Sequence, residues 1–291
     1  MRSNELWLYR FVVITLALAC ATTITKAQTP QPSPTPSASP SLERRFLKNI
    51  LHDQKAIWSS PFHLEKSDAR WLVPLGAGTA GLIATDGSTA KWVAQFDDQL
   101  DASRIVSYAG STYGAAGVGA VFYFAGRASH NPRARETGLL SWEALLNSEL
   151  VVLPLKAIAG RKRPLETHRG DFFRGGTSFP SGHAIHAWSV ATVIANEYSD
   201  HRIVQVTAYG VAAAVSLARL TGEKHFVSDI FVGSAMGYGI GHYVYHAHHR
   251  AESNAGGGEE EESRADHRWP AIAPVYDRHA HDYGVALAWS F

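Results

Sequence analysis

Six apolar stretches rich in glycine and alanine, between Trp71 and His246, leave this chain few ways to fold. They cover residues 71–85, 105–126, 139–159, 184–198, 203–219 and 228–246. Apolar positions recur in them at helical spacing, and no run of alternating strands interrupts them. Small residues in AGSTYGAAGVGA, GVAAAVSLA and GSAMGYGIG let helix axes approach closely, in a bilayer or in a tight soluble bundle. The pattern predicts an all-α fold built as a six-helix bundle. An amphipathic segment precedes it, marked by Phe46, Ile50, Leu51 and Ile57, with Trp58 and Phe62 set to lie on the core or on a lipid surface.

The residues that carry chemistry fall in three short clusters inside this helical region. They are Lys156 with Arg163-Pro164, then Pro180-Ser181-Gly182-His183, then Arg219, His225 and Asp229. Arg163 and Arg219 can each hold a phosphate through two parallel hydrogen bonds, and Lys156 adds a point charge. Gly182 lets the main chain come near a ligand, with the Ser181 hydroxyl beside it. The four-residue spacing from His225 to Asp229 lets the carboxylate orient the ring. Two histidines and three cations, without metal-ligand spacing, point to phosphoryl transfer with a histidine nucleophile and no metal. Connectivity gathers the clusters at one end of the bundle, where two helix N-termini add partial positive charge. Arg161 and Lys162 read as solvated or supportive neighbours of Arg163, and Arg174 and Ser178 as possible borders of the pocket.

In this order and spacing, the clusters resemble the signature of the type 2 phosphatidic acid phosphatase and vanadium haloperoxidase superfamily, which includes the bacterial class A acid phosphatases. The resemblance implies a helical phosphatase of the phosphoric monoester hydrolase type. In it His225 attacks phosphorus, His183 protonates the leaving oxygen, and Asp229 fixes the His225 tautomer. Lys156, Arg163, Ser181, Gly182 and Arg219 bind the equatorial oxygens. One departure is visible: Ala218 stands before Arg219 where the family pattern carries serine. The substrate implied is a lipid phosphate, a polyprenyl diphosphate or a small phosphomonoester. Two alternatives share the scaffold: a haloperoxidase with vanadate as its cofactor, and a non-catalytic envelope protein that binds anions or lipid.

The ends of the chain speak to compartment. Arg2 and Arg10 precede an apolar run, and Ala27 follows as a small residue, the outline of a signal peptide over 1–27. A Pro/Ser-rich linker over 28–42 follows, with the helical domain expected over 43–250 and an acidic linker and polar tail over 251–291. The single cysteine, Cys20, forbids an internal disulfide. A formal net charge of +1 gives no reason to expect a nucleic-acid partner. The histidines at 246, 248 and 249 read as a solvated helix end rather than a metal site. Together these features predict a periplasmic or secreted protein that can sit against a membrane, the alternative being an integral inner-membrane protein with a periplasmic site.

Overall fold

The structure, a computed structural model, describes residues 42–95, 100–253, 271–277 and 282–288. The expected signal peptide, nearly all of the Pro/Ser-rich linker and the acidic linker lie outside these residues. The chain divides into two compact units between His249 and Arg250.

The first unit is all-α. Its helices are α1 (Leu42–Ser59), α2 (Ala69–Val93), α3 (Leu100–Ala109), α4 (Thr112–Ala128), α5 (Pro132–Ala159), α6 (Gly182–Glu197), α7 (Arg202–Thr221) and α8 (Val227–Ser253). Helix α5 has clear local causes. Asn131 caps its start by accepting the Ala134 N–H at 3.1 Å, and Pro132 takes the first turn, where its missing N–H costs nothing. Gly160, at φ +52°, ends it in the left-handed conformation and returns its N–H to the Lys156 carbonyl. Lys156 is thereby fixed in the last turn.

The core forms where α5, α6 and α8 meet, with Leu140, Ala144 and Val152 against Ile185 and Val193 and against Ile240 and Val244. A glycine column on α8 sets the spacing. A Cβ at Gly233, Gly237 or Gly241 would stand 2.7, 2.4 and 2.3 Å from the carbonyl oxygens of Ser181, Ile185 and Ser189. Side chains there would push α8 off the helix it lies on.

Two expectations need correction. The stretch 105–126 is not one helix: α3 stops at Ala109, and Ser111 caps α4 by accepting the Gly114 N–H at 3.0 Å. A serine that satisfies the free donors of a new helix competes with continuing the old one. Gly110 occupies the break because a Cβ there would meet Val215 Cγ1 at 2.2 Å and the His183 carbonyl at 3.1 Å. The tail, expected to be polar and loose with only its last stretch, 283–291, alternating in part like a strand, contains an antiparallel hairpin in the second unit. Strand β1 (Ala271–Asp277) pairs with β2 (Asp282–Ala288), from Ala271 opposite Ala288 to Asp277 opposite Asp282. Each strand of a two-stranded sheet keeps one unpaired edge, which accommodates Pro274.

Candidate active site

The loop from Gly160 to Ser181 joins α5 to α6 and is organised by Arg161. The backbone carbonyl of Arg161 accepts the Ser178 N–H at 2.9 Å. Its guanidinium, only 2 % exposed, donates from Nη1 to Asp229 Oδ1 and Ser228 Oγ, each at 2.7 Å. Nη2 reaches Asp86 Oδ2 at 2.8 Å, and Nε reaches the Gly170 carbonyl at 3.2 Å. The rings of Phe172 and Phe226 lie against the cation at 4.7 and 4.4 Å. Ser228 closes the network, donating its N–H to Asp86 Oδ1 at 3.2 Å and its hydroxyl to Oδ2. One buried cation thus bridges two buried carboxylates contributed by α2 and α8.

Asp229 ties this network to the histidine. Its Oδ2 accepts from Ser178 Oγ at 2.5 Å and from the Phe226 N–H at 2.9 Å. The second bond caps the start of α8, so the carboxylate both ends the loop and backs the ring. His225 Nδ1 lies 2.8 Å from the Ser178 carbonyl and 3.6 Å from Asp229 Oδ2. A carbonyl can only accept, so Nδ1 carries the proton and Nε2 holds the lone pair. The tautomer is therefore fixed first by Ser178 and only then by Asp229, whereas the sequence assigned that task to Asp229 alone. Burial pushes the imidazole of His225 down to about 4, against the opposing pull of Asp229.

The structure brings all the expected site residues to one end of the bundle. Lys156 ends α5, and its Nζ lies 3.4 Å from where a Gly182 Cβ would stand. Arg163 and Arg219 both act on Lys156 electrostatically, and Arg219, His225 and Lys156 all act on the His183 ring. Ser181 occupies the N-cap of α6 and makes no side-chain cap. Its hydroxyl, Arg163 Nε and Arg219 Nε are buried and have no hydrogen-bond partner among the described residues. Buried donors without acceptors are costly, and three around one end of a bundle suit an oxyanion. The N-termini of α6 and α8 point the same way.

Of the two readings the sequence allowed for Arg161, solvated or supportive, the structure shows the second: it is the buried hub beneath the site. Ser178, left at the border by the sequence, supplies the carbonyl that fixes His225. Asp86 was missed. Its signal was a carboxylate standing alone in the apolar run GLIATDGSTA, a position that implies a buried partner.

With this geometry in place, comparison with known proteins is decisive for the region that holds it. Residues 138–253 match the PAP2 superfamily. The PAP2 match bears out the resemblance carried by the three clusters. A lipid A 1-phosphatase of Porphyromonas gingivalis is 30% identical over 114 residues, covering 36% of this chain and 24% of that protein. The chain thus spans about a quarter of the length of that curated relative. Among solved structures, a transmembrane PAP2 type phosphatidylglycerolphosphate phosphatase from Bacillus subtilis is similar at 20% identity and a TM-score of 0.49. That similarity covers 61% of this chain and 96% of the other.

Proposed function

We propose that the protein is a phosphatase that hydrolyses a lipid-borne phosphate ester through a phosphohistidine. The observation that carries this reading is the set of three partnerless buried donors, Arg163, Ser181 and Arg219, gathered with a histidine whose Nε2 is free to attack. His225 Nε2 forms the bond to phosphorus as the bond to the ester oxygen breaks. His183 delivers a proton to that oxygen, then takes one from the water that hydrolyses the phosphohistidine. Lys156, Arg163, Ser181, the Gly182 N–H and Arg219 hold the three equatorial oxygens throughout. Orthovanadate, which mimics the five-coordinate phosphorus, should inhibit competitively.

An apolar groove supports a lipid substrate. Lined by Ala187, Val190, Ile194, Ala208 and Ala212, among others, it is a half-open groove of about 100 Å³ between α4, α6 and α7. It begins close to the chemistry: Ala187 lies one turn beyond His183, and Ala109 adjoins Gly110 beneath the His183 carbonyl. The outer surface agrees. Phe62, Trp71, Val73, Phe124, Leu153, Ile203 and Val206 are all more than half exposed, large apolar side chains that water does not favour. Helices α5 and α7 are long and apolar enough to cross a membrane. We therefore place the helical unit in a bilayer, with the anion site at one membrane face. This favours the integral alternative over a secreted globule.

Phosphate release should be measured on phosphatidate in mixed micelles and on p-nitrophenyl phosphate. Release from both, with the lipid preferred, is expected; release from neither overturns the proposal. Ala208→Phe, which fills the groove, should slow the lipid about tenfold and leave the nitrophenyl ester unchanged. Equal effects on both would instead make a small phosphomonoester the substrate.

A further inference from the structure

A second buried cluster lies far from the chemistry. Asp53 on α1, Glu143 on α5 and His248 on α8 are 0%, 1% and 7% exposed. Their donor atoms all fall within 4.8 Å of one another. His248 and Asp229 are on the same helix, and the rise over that separation places the cluster about 28 Å from the phosphate site. Nothing in the proposed reaction uses these residues.

The geometry is awkward for hydrogen bonding alone. His248 Nε2 faces Asp53 Oδ1 at 2.9 Å, Asp53 Oδ2 at 3.1 Å and Glu143 Oε1 at 3.1 Å. One nitrogen carries at most one proton, so it cannot donate to three oxygens. Glu143 meets Asp53 and Asn49, yet its Oε1, within reach of the other two donor atoms, is buried with no hydrogen-bond partner among the described residues. Neither carboxylate has an arginine or lysine partner among the described residues. Once both carboxyls shed their protons to serve as ligands, two carboxylates and an imidazole would carry two negative charges, the complement of a divalent cation. Ligands bound to such an ion at about 2.1 Å stand about 3.4 Å apart, so the three donors need to open by only a few tenths of an ångström. The surroundings also hold Asp53 in place. Asn147 Nδ2 donates to Asp53 Oδ2 at 2.8 Å, and Gln54 Nε2 donates to Asn147 Oδ1 at 2.8 Å.

We propose that Asp53, Glu143 and His248 bind one divalent transition-metal ion, of the zinc or manganese kind, that ties α1 to α5 and α8. Mixed oxygen and imidazole donors suit these ions better than magnesium or calcium. The ion is structural, and the phosphatase chemistry proceeds at the other end of the bundle without it.

The test uses the full chain in detergent, stripped with a chelator and then given zinc chloride or manganese chloride in separate arms. Bound metal is counted by mass spectrometry and Tm is recorded. Wild type should hold one ion per chain, and its Tm should rise by about 5–10 °C at saturating metal. Glu143→Gln and His248→Gln should lose both the ion and the shift, with p-nitrophenyl phosphate turnover within about twofold of wild type. His246→Gln should keep the ion, because His246 is not one of the three donors and packs its ring on His242. A wild type that holds no stoichiometric ion, and whose Tm neither metal moves, overturns the proposal whatever the variants do. Loss of the ion in His246→Gln with retention in Glu143→Gln also overturns it, by placing the metal on other histidines.

Discussion

The helical unit buries two pairs of carboxylates, one at each end, and neutralises them differently. Near the phosphate site, Asp86 and Asp229 share the guanidinium of Arg161, with Ser178 and Ser228 filling the remaining positions. At the other end, Asp53 and Glu143 share a histidine nitrogen, with Asn147 donating to Asp53 and no arginine or lysine beside either among the described residues. A guanidinium carries a permanent charge and five donors, so the first pair is complete without help. An imidazole supplies one donor at most, so the second pair is complete only with an added cation or proton. Substitution at the first pair should therefore cost turnover and stability together, and substitution at the second should cost stability alone.

The contrast can be broken most decisively at the nucleophile that the first network supports. His225→Ala should reduce turnover to near background, with an acid-labile phosphate trapped on wild type only. A variant that keeps most of its activity would remove any functional reason for the network. Arg161→Met comes next. It strands Asp86 and Asp229 without a cation and should cost about 3–5 kcal/mol in denaturant unfolding, with activity lost in parallel. Were its effect as small as that of a surface arginine, the two ends would no longer differ. Ser178→Ala should be milder, because it removes the hydroxyl bond to Asp229 but keeps the carbonyl that fixes His225. A loss of about tenfold or less in kcat, with KM unchanged, would fit that division.

The smallest expected effect is on pH dependence. The folded-state value of His225, about 4, lies below its ordinary 6.5. Between those values the unfolded chain binds a proton that the native ring refuses. The contribution of this group to stability is therefore full above pH 6.5 and declines as pH falls toward 4. The nucleophile itself stays neutral through that window. NMR titration of His225 should find its midpoint near 4, and a midpoint near 6.5 would show that the ring is not buried as described.

Much of the site was legible in the sequence because its parts lie close along the chain. Lys156, Arg163, Ser181, His183, Arg219 and His225 sit at helix ends or in short loops, so local spacing fixed where they would meet. Arg161 was not legible, because three adjacent basic residues, Arg161 to Arg163, give no local sign of which one turns inward. What selects it is Asp86 on a distant helix, and a partnership of that kind leaves no spacing to read. The break at Gly110 was missed for a related reason. Within an apolar run the pair Gly110-Ser111 looks like ordinary helix, and only contact with Val215 and the His183 carbonyl makes it a corner. The count of six helices was close, failing where a tertiary contact overrode a local pattern. The cluster at Asp53, Glu143 and His248 showed in the sequence only at His248, read there as part of a solvated helix end; it is instead buried against Asp53 and Glu143, which come from two other helices and leave no local spacing.

The glycine column on α8 acts as a mechanical datum for the reaction. Gly233 rests on the backbone of Ser181, while the same helix begins two residues after His225. The piece that carries the attacking ring and the piece that carries the anion donors are clamped at a backbone-to-backbone distance that no side chain can adjust. Their alignment is then as stiff as the peptide geometry that sets it, and thermal play between ring and phosphate is held to the slack of one van der Waals contact. A single added methyl at Gly233 would remove no reacting group and yet put the machine out of true.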